Sequence, residues 1–149
     1  MDALVRSIHS QLPWLILIIG ILCFFSSFIA RKGSGIYTSS VRLSSLIFMI
    51  LCDVQLLCGL ILYFGSSNRG YSAISEYGLS EVMKDPSLRR VAVEHITTMF
   101  LAVILIHIGM RKVKNAADDK EKLRHSMFYT GIALILILAG IPWNSFLNL

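Results

Sequence analysis

The chain carries little charge and few residues that break helices. Only 15% of its 149 residues are charged and three are proline, whereas 55% are hydrophobic, and the mean hydropathy is +0.68. In a soluble domain of this size about a quarter of the residues are charged. The composition therefore excludes an ordinary soluble domain, and the clustering of charges between long apolar runs indicates a single integral membrane domain.

The sequence also lacks several common cofactor and metal motifs. There is no C-x-x-C-H, which excludes covalent c-type haem attachment. There is no phosphate-binding G-x-x-x-x-G-K, no H-E-x-x-H and no dinucleotide glycine fingerprint. The cysteines Cys23, Cys52 and Cys58 lie inside apolar runs, where cysteine most often acts as a small hydrophobic residue.

Four apolar runs are long enough to cross a bilayer, which takes about 20 residues in a helix. They cover residues 12–30, 43–64, 91–110 and 127–143. The predicted fold is therefore all-α and integral to the membrane: residues 1–149 form one up-and-down bundle of four transmembrane helices, with short interfacial helices.

Short helices and helix starts can be placed around these spans. Residues 1–11 carry apolar side chains on one helical face, which predicts a short interfacial helix before the first span. Pro13 has no N–H for the carbonyl of His9, so we expect the helix to kink or restart there. Other apolar side chains predict a short helix lying on the membrane in the connection 65–90: Ile74, Tyr77, Val82 and Met83.

Two later helices carry recognisable start signals. Asp85 before Pro86 is typical of an N-cap followed by proline at the first helical position. Asp118 and Glu121 have capping-box spacing, which predicts that the fourth helix starts outside the bilayer. Pro142 should end or kink that helix near Trp143.

The net charge of +5 is distributed along the membrane boundary and does not indicate nucleic-acid binding. The positive-inside rule then predicts that the loop between the first two spans (loop one) and the loop between the last two (loop three) are cytoplasmic and that both termini lie outside. Nine basic residues adjoin these loops and five lie at the other side: Arg31, Lys32, Arg42, Arg111, Lys112, Lys114, Lys120, Lys122 and Arg124, against Arg6, Arg69, Lys84, Arg89 and Arg90.

The positions of the four histidines are the strongest indication of function in this sequence. His9 and His95 fall at one face of such a bundle, and His107 and His125 fall at the other. Imidazoles directed into a bundle core from facing helices commonly hold haem iron. We predict that His9 and His95 ligate one haem, because the first and third helices start at the same face and can lie diagonally across the core. Hydrogen bonding of His95 to a neighbouring helix is the structural alternative.

Cationic side chains lie at the same face as this first pair. Arg6, Arg89 and Arg90 are placed to meet haem propionates, or alternatively lipid headgroups. His107 is 12 residues after His95 and so points about 120° away around the helix. A second haem at His107 and His125 would need another groove; contact with a quinone or interface packing are the alternatives.

Asp53 and Gln55 are polar residues within the second span. A charge at mid-span costs about 2.5–3.5 kcal/mol on insertion scales, so Asp53 should face the interior, be protonated or be paired. It is a candidate for carrying a proton or contacting a quinol, or else for a structural hydrogen bond. Gln55 lies about 200° away around the helix, so the two residues do not share a face.

Several segments resemble a family of small bacterial four-span membrane proteins labelled cytochrome b-like. The resemblance covers nearly the whole chain, although the position of Asp53 can be histidine in relatives. It rests on His9-Ser10 with Trp14, Asp53-x-Gln55-Leu-Leu-x-Gly59-Leu-x-Leu-Tyr63-Phe64, Met83-Lys84-Asp85-Pro86 with Val93-Glu94-His95, and Phe128-Tyr129 with Leu138-Ala-Gly-Ile-Pro142-Trp143. The resemblance implies haem at His9 and His95, in the bacterial inner membrane.

The sequence and this resemblance together predict a b-type cytochrome that passes electrons between a membrane quinol and a partner protein. It would be an electron carrier or a subunit, not a self-contained enzyme. Two alternatives stay open. One is a cofactor-free accessory subunit packed against other membrane subunits, and the other is a quinone- or proton-handling subunit that uses Asp53.

Overall fold

The computed structural model describes residues 2–65 and 70–143. The helices are α1 (Asp2–Lys32), α2 (Ser39–Gly65), α3 (Tyr71–Tyr77), α4 (Leu79–Lys84), α5 (Pro86–Arg89), a π-helical segment (Arg90–His95), α6 (Ile96–Asn115) and α7 (Asp119–Gly140). Four helical stretches within this part of the chain are long and apolar enough to cross a membrane: 3–32, 39–65, 86–115 and 119–140. The all-α membrane bundle is confirmed, with helices that extend beyond the apolar runs.

The four long helices form a ring in which each packs on two neighbours. Helix α1 packs on α2 and α7, and α6 packs on α7 and α2. Helices α1 and α6 therefore face each other across the diagonal, as expected from the sequence. The core between the four helices is built from buried side chains of all of them: Ile16, Leu17, Phe48, Cys52, Ala102, Ile106, Ala133, Leu134, Ile137 and Ile141.

Both predicted helix starts are confirmed. The Asp85 carboxylate accepts hydrogen bonds from the main-chain N–H groups of Ser87 at 2.7 Å and Leu88 at 3.1 Å. Asp118 accepts from the N–H of Glu121 at 2.8 Å, so α7 begins at Asp119. These bonds satisfy N–H groups that have no partner inside the helix.

Two predictions about short helices need correction. Residues 2–11 do not form a separate interfacial helix, because α1 runs without a break from Asp2 through Pro13 to Lys32. The connection after the second span contains two short helices instead of one, because Gly78 adopts a φ of 79° between α3 and α4. Val82 is fully buried in a small cluster with Ala73 and Ala92, whereas Tyr77 and Met83 remain exposed.

The two basic loops lie at the same end of the bundle. Arg31 and Lys32 line one groove together with Lys120 and Arg124, and the N–H of Tyr37 donates to the Asp119 carboxylate at 3.1 Å. This arrangement agrees with the predicted grouping of the charges, although Arg69 falls outside the described residues.

Candidate functional site

The structure brings His9 and His95 together. Their ring centroids lie 6.2 Å apart and the ring planes are at 87°. His9 is in the second turn of α1, and His95 ends the π-helical segment that leads into α6. The pair thus joins the diagonal helices at one end of the bundle, as the sequence predicted.

A hydrogen bond to α7 orients the His95 ring. Its Nδ1 lies 2.9 Å from the main-chain oxygen of Gly140, the last residue of α7, whose carbonyl has no helical partner. Because a carbonyl only accepts, Nδ1 carries the proton and the lone pair is on Nε2. A histidine held this way by its second nitrogen is typical of metal ligands.

His9 packs tightly against α2 and keeps one nitrogen without a partner. Its Nδ1 is buried and has no hydrogen bond within the described part of the chain. A Cβ atom at Gly59 would lie 3.0 Å from Cε1 of the ring, so a larger residue there would require the imidazole to shift by a few tenths of an ångström. The main-chain oxygen of His9 accepts a hydrogen bond from Nε2 of Gln55 at 2.8 Å.

A cavity of about 280 Å³ adjoins the two imidazoles. Its polar lining includes Arg6, His9, Gln55 and His95, and most of the remaining wall is apolar. Ligand pockets share this composition and have volumes from about 300 Å³ upwards, so this cavity lies just below the lower end of that range. The apolar lining comes from all four long helices and includes Ile16, Cys52, Leu56, Leu62, Met99, Ala102, Val103 and Ile137.

Two of the three arginines predicted at this site are already engaged by protein groups. Glu94 accepts from Nε of Arg89 at 2.8 Å and from Nη1 of Arg90 at 3.1 Å. Arg90 also donates to the main-chain oxygens of Ala139 at 2.8 Å and Ile141 at 3.1 Å. Arg6 lines the cavity.

The π-helical segment was not foreseen from the sequence. It supplies both Arg90 and His95, and so sets which side chains reach the end of α7. The hydroxyl of Tyr63 donates to the oxygen of Ala92 within this segment at 3.1 Å. Single π-helical turns inside longer helices occur frequently at functional sites, but no residue pattern in the sequence marks them.

The second predicted histidine pair has different partners. Nε2 of His107 lies 2.9 Å from Oδ1 of Asp53, whereas His125 lies 3.4 Å from Glu121 on its own helix. Asp53 thus reaches α6 and Gln55 reaches α1, which confirms that they occupy different faces of α2.

A buried polar cluster at the other end of the bundle was also missed. The hydroxyl groups of Ser27 and Ser126 lie 2.9 Å apart, and Ser45 lies 3.2 Å from Ser126. Sγ of Cys23 approaches Ser45 at 3.2 Å, so Cys23 is a hydrogen-bonding residue as well as a small hydrophobic one. Hydroxyl bonds of this kind hold α1, α2 and α7 together without lipid contact.

The two histidines of the His9–His95 pair carry nitrogen donors of the kind that hold haem iron. The buried Nδ1 of His9, which has no hydrogen bond in the described part of the chain, and Nε2 of the oriented His95 ring would supply these donors.

Comparisons of the chain with protein families, with curated proteins and with solved structures found no match.

Proposed function

We propose that this chain is a membrane b-type cytochrome that binds one haem between His9 and His95 and passes electrons between a quinol and a partner protein. The observation that carries the proposal is the separation of 6.2 Å between these two rings on diagonal helices. The resemblance to the cytochrome b-like family supports the same reading.

In this proposal the residues of the site would bind the haem, orient its ligands and exclude water. His9 and His95 would hold the haem iron, with the Gly140 carbonyl orienting the His95 ring and Gly59 leaving space for the His9 ring against α2. Arg6 would meet a propionate where the cavity reaches the end of the bundle. Haem would supply reversible one-electron transfer, and the apolar wall would keep water from it.

The proposed location and orientation of the protein follow from the distribution of its basic residues and from the resemblance to the cytochrome b-like family. The chain would lie in a bacterial inner membrane, with loops one and three in the cytoplasm and the site toward the outside. Its electron partner would be another membrane subunit or an external protein that docks at that face.

The visible spectrum of the protein purified in mild detergent tests the proposal. We expect a Soret band and a sharp reduced α-band, as for six-coordinate low-spin haem. His9→Ala and His95→Ala should each abolish the low-spin spectrum, because the iron loses an axial ligand. His125→Ala is the matched control, since its ring contacts Glu121 and not the cavity.

One observation favours a second candidate, the cofactor-free accessory subunit. His95 and Arg90 bind the last carbonyls of α7, which is by itself a sufficient structural use for both residues. A colourless preparation from haem-replete cells, with folding shown independently, would support this candidate. Loss of half the haem in His125→Ala, with the remainder low-spin, would instead show a second haem.

A further inference from the structure

Asp53 lies midway along α2, and the pair that it forms with His107 of α6 faces outward from the bundle. The two side chains meet at 2.9 Å across α2 and α6, yet 37% of Asp53 and 52% of His107 remain exposed. Oδ2 of Asp53 and Nδ1 of His107 make no hydrogen bond within the described ranges. A polar pair on a membrane-facing surface at this depth is open to a ligand from the hydrocarbon phase.

We infer that Asp53 and His107 form a binding site for the headgroup of a lipid-soluble quinone or quinol. A ligand that reaches mid-bilayer from the side must dissolve in hydrocarbon, which excludes ions, sugars and nucleotides. Phospholipid headgroups stay at the membrane surface. A quinone combines an apolar body with oxygen atoms that accept hydrogen bonds, and its quinol form donates them.

The pair complements both forms of that headgroup. When Asp53 is ionised its carboxylate only accepts, so Nε2 of His107 carries the proton toward it and Nδ1 presents a lone pair. A quinol O–H can donate to this Nδ1, or to Oδ2 of Asp53. When His107 is doubly protonated, Nδ1–H donates to a quinone carbonyl and Asp53 stabilises the imidazolium.

The surface around Asp53 and His107 suits the apolar ring and tail of a quinone. Leu57, Ile104 and Ile108 lie on the exposed surface of α2 and α6 close to the pair in sequence, and they offer apolar contact for a ring and a tail. Cys52, next to Asp53, belongs to the wall of the cavity that contains His9 and His95. This inference rests on the proposed function in one respect: the haem would have to accept the electrons of the quinol. Binding of the quinone to Asp53 and His107 does not depend on the haem.

Binding can be measured with a short-chain benzoquinone carrying ¹³C at its carbonyls, added to the full chain in lipid nanodiscs. We expect saturable binding and a carbonyl infrared band at lower frequency than in empty nanodiscs, because hydrogen bonding weakens the C=O bond. His107→Gln and Asp53→Asn should raise the dissociation constant at least tenfold and remove the band shift. Thr97→Ala, an exposed polar residue elsewhere on α6, is the control and should change neither.

Two results would overturn the inference: a wild-type protein that shows no shifted band, or variants that both bind the quinone as the wild type does. If the wild-type protein shows no shifted band and the variants dissociate a dimer, the pair is a contact between two copies. The His9→Ala protein separates this inference from the haem proposal, because it should lose the haem spectrum and keep the shifted quinone band.

Discussion

The side-chain amide of Gln55 donates a hydrogen bond to the main-chain oxygen of His9, with Nε2 and O 2.8 Å apart. This carbonyl would normally bond the N–H four residues later, but that residue is Pro13, which has none. Helix α2 therefore supplies the bond that α1 lacks, and α1 continues through the proline. The same contact holds the segment that carries the His9 ring.

Replacing Gln55 with Leu should destabilise the protein by about 1–3 kcal/mol, because the His9 carbonyl would be left without a donor in an apolar setting. Unfolding in mixed micelles measures this free energy. In a Pro13→Ala background the helix supplies its own N–H, so the same substitution should cost clearly less. Equal costs in the two backgrounds would show that Gln55 does not compensate for the proline.

Replacing Arg90 with Gln should loosen the end of α7, because the carbonyls of Ala139 and Ile141 lose their donor. We expect faster amide hydrogen exchange over residues 139–143 and a loss of about 1–2 kcal/mol of local stability. Arg89→Gln is the matched control, since Arg89 binds Glu94 and Met83 but not α7. Equal exchange rates in the two variants would contradict this role.

The distribution of basic residues predicts membrane orientation. In a background in which all native cysteines are replaced by alanine, cysteines at Ser34 and Asn115 should resist an impermeant thiol reagent added to intact cells, because loops one and three should be cytoplasmic. A cysteine at Ser80, an exposed residue of α4, should react. The reverse pattern would place the face with His9 and His95 in the cytoplasm.

The N-cap at Asp85 should make the start of α5 sensitive to acid. Hydrogen bonds from the Ser87 hydroxyl and from the N–H groups of Leu88 and Ser87 lower the pKa of Asp85 below its ordinary value. The cap is therefore complete above the unfolded-state pKa of about 4, and its stabilisation is lost as the pH falls through the lower folded-state pKa. Amide exchange at Ser87 and Leu88 should rise over that acid range, beyond its intrinsic pH dependence, and Asp85→Ala should raise it at neutral pH.

Much of the architecture could be predicted from the sequence because it depends on local chemistry. Long apolar runs require helices in a bilayer, since every main-chain group must be satisfied within the segment. Asp85 and Asp118 mark helix starts because their carboxylates cap N–H groups two or three residues away. The meeting of His9 and His95 was also predictable, because alternate spans of an up-and-down bundle begin at the same face.

The sequence by itself determined the four spans, their caps and the shared end of the bundle at which His9 and His95 lie, because these follow from hydropathy and from short-range hydrogen bonds. Only the tertiary structure decided the partners: Gly140 for His95, Gln55 for the His9 carbonyl, and Asp53 for His107. Each of these contacts joins residues at least 45 positions apart. Such pairings depend on how the helices rotate and pack against one another, and on a π-helical turn that shifts the register of Arg90–His95. No local sequence pattern encodes the helix rotation or the π-helical turn.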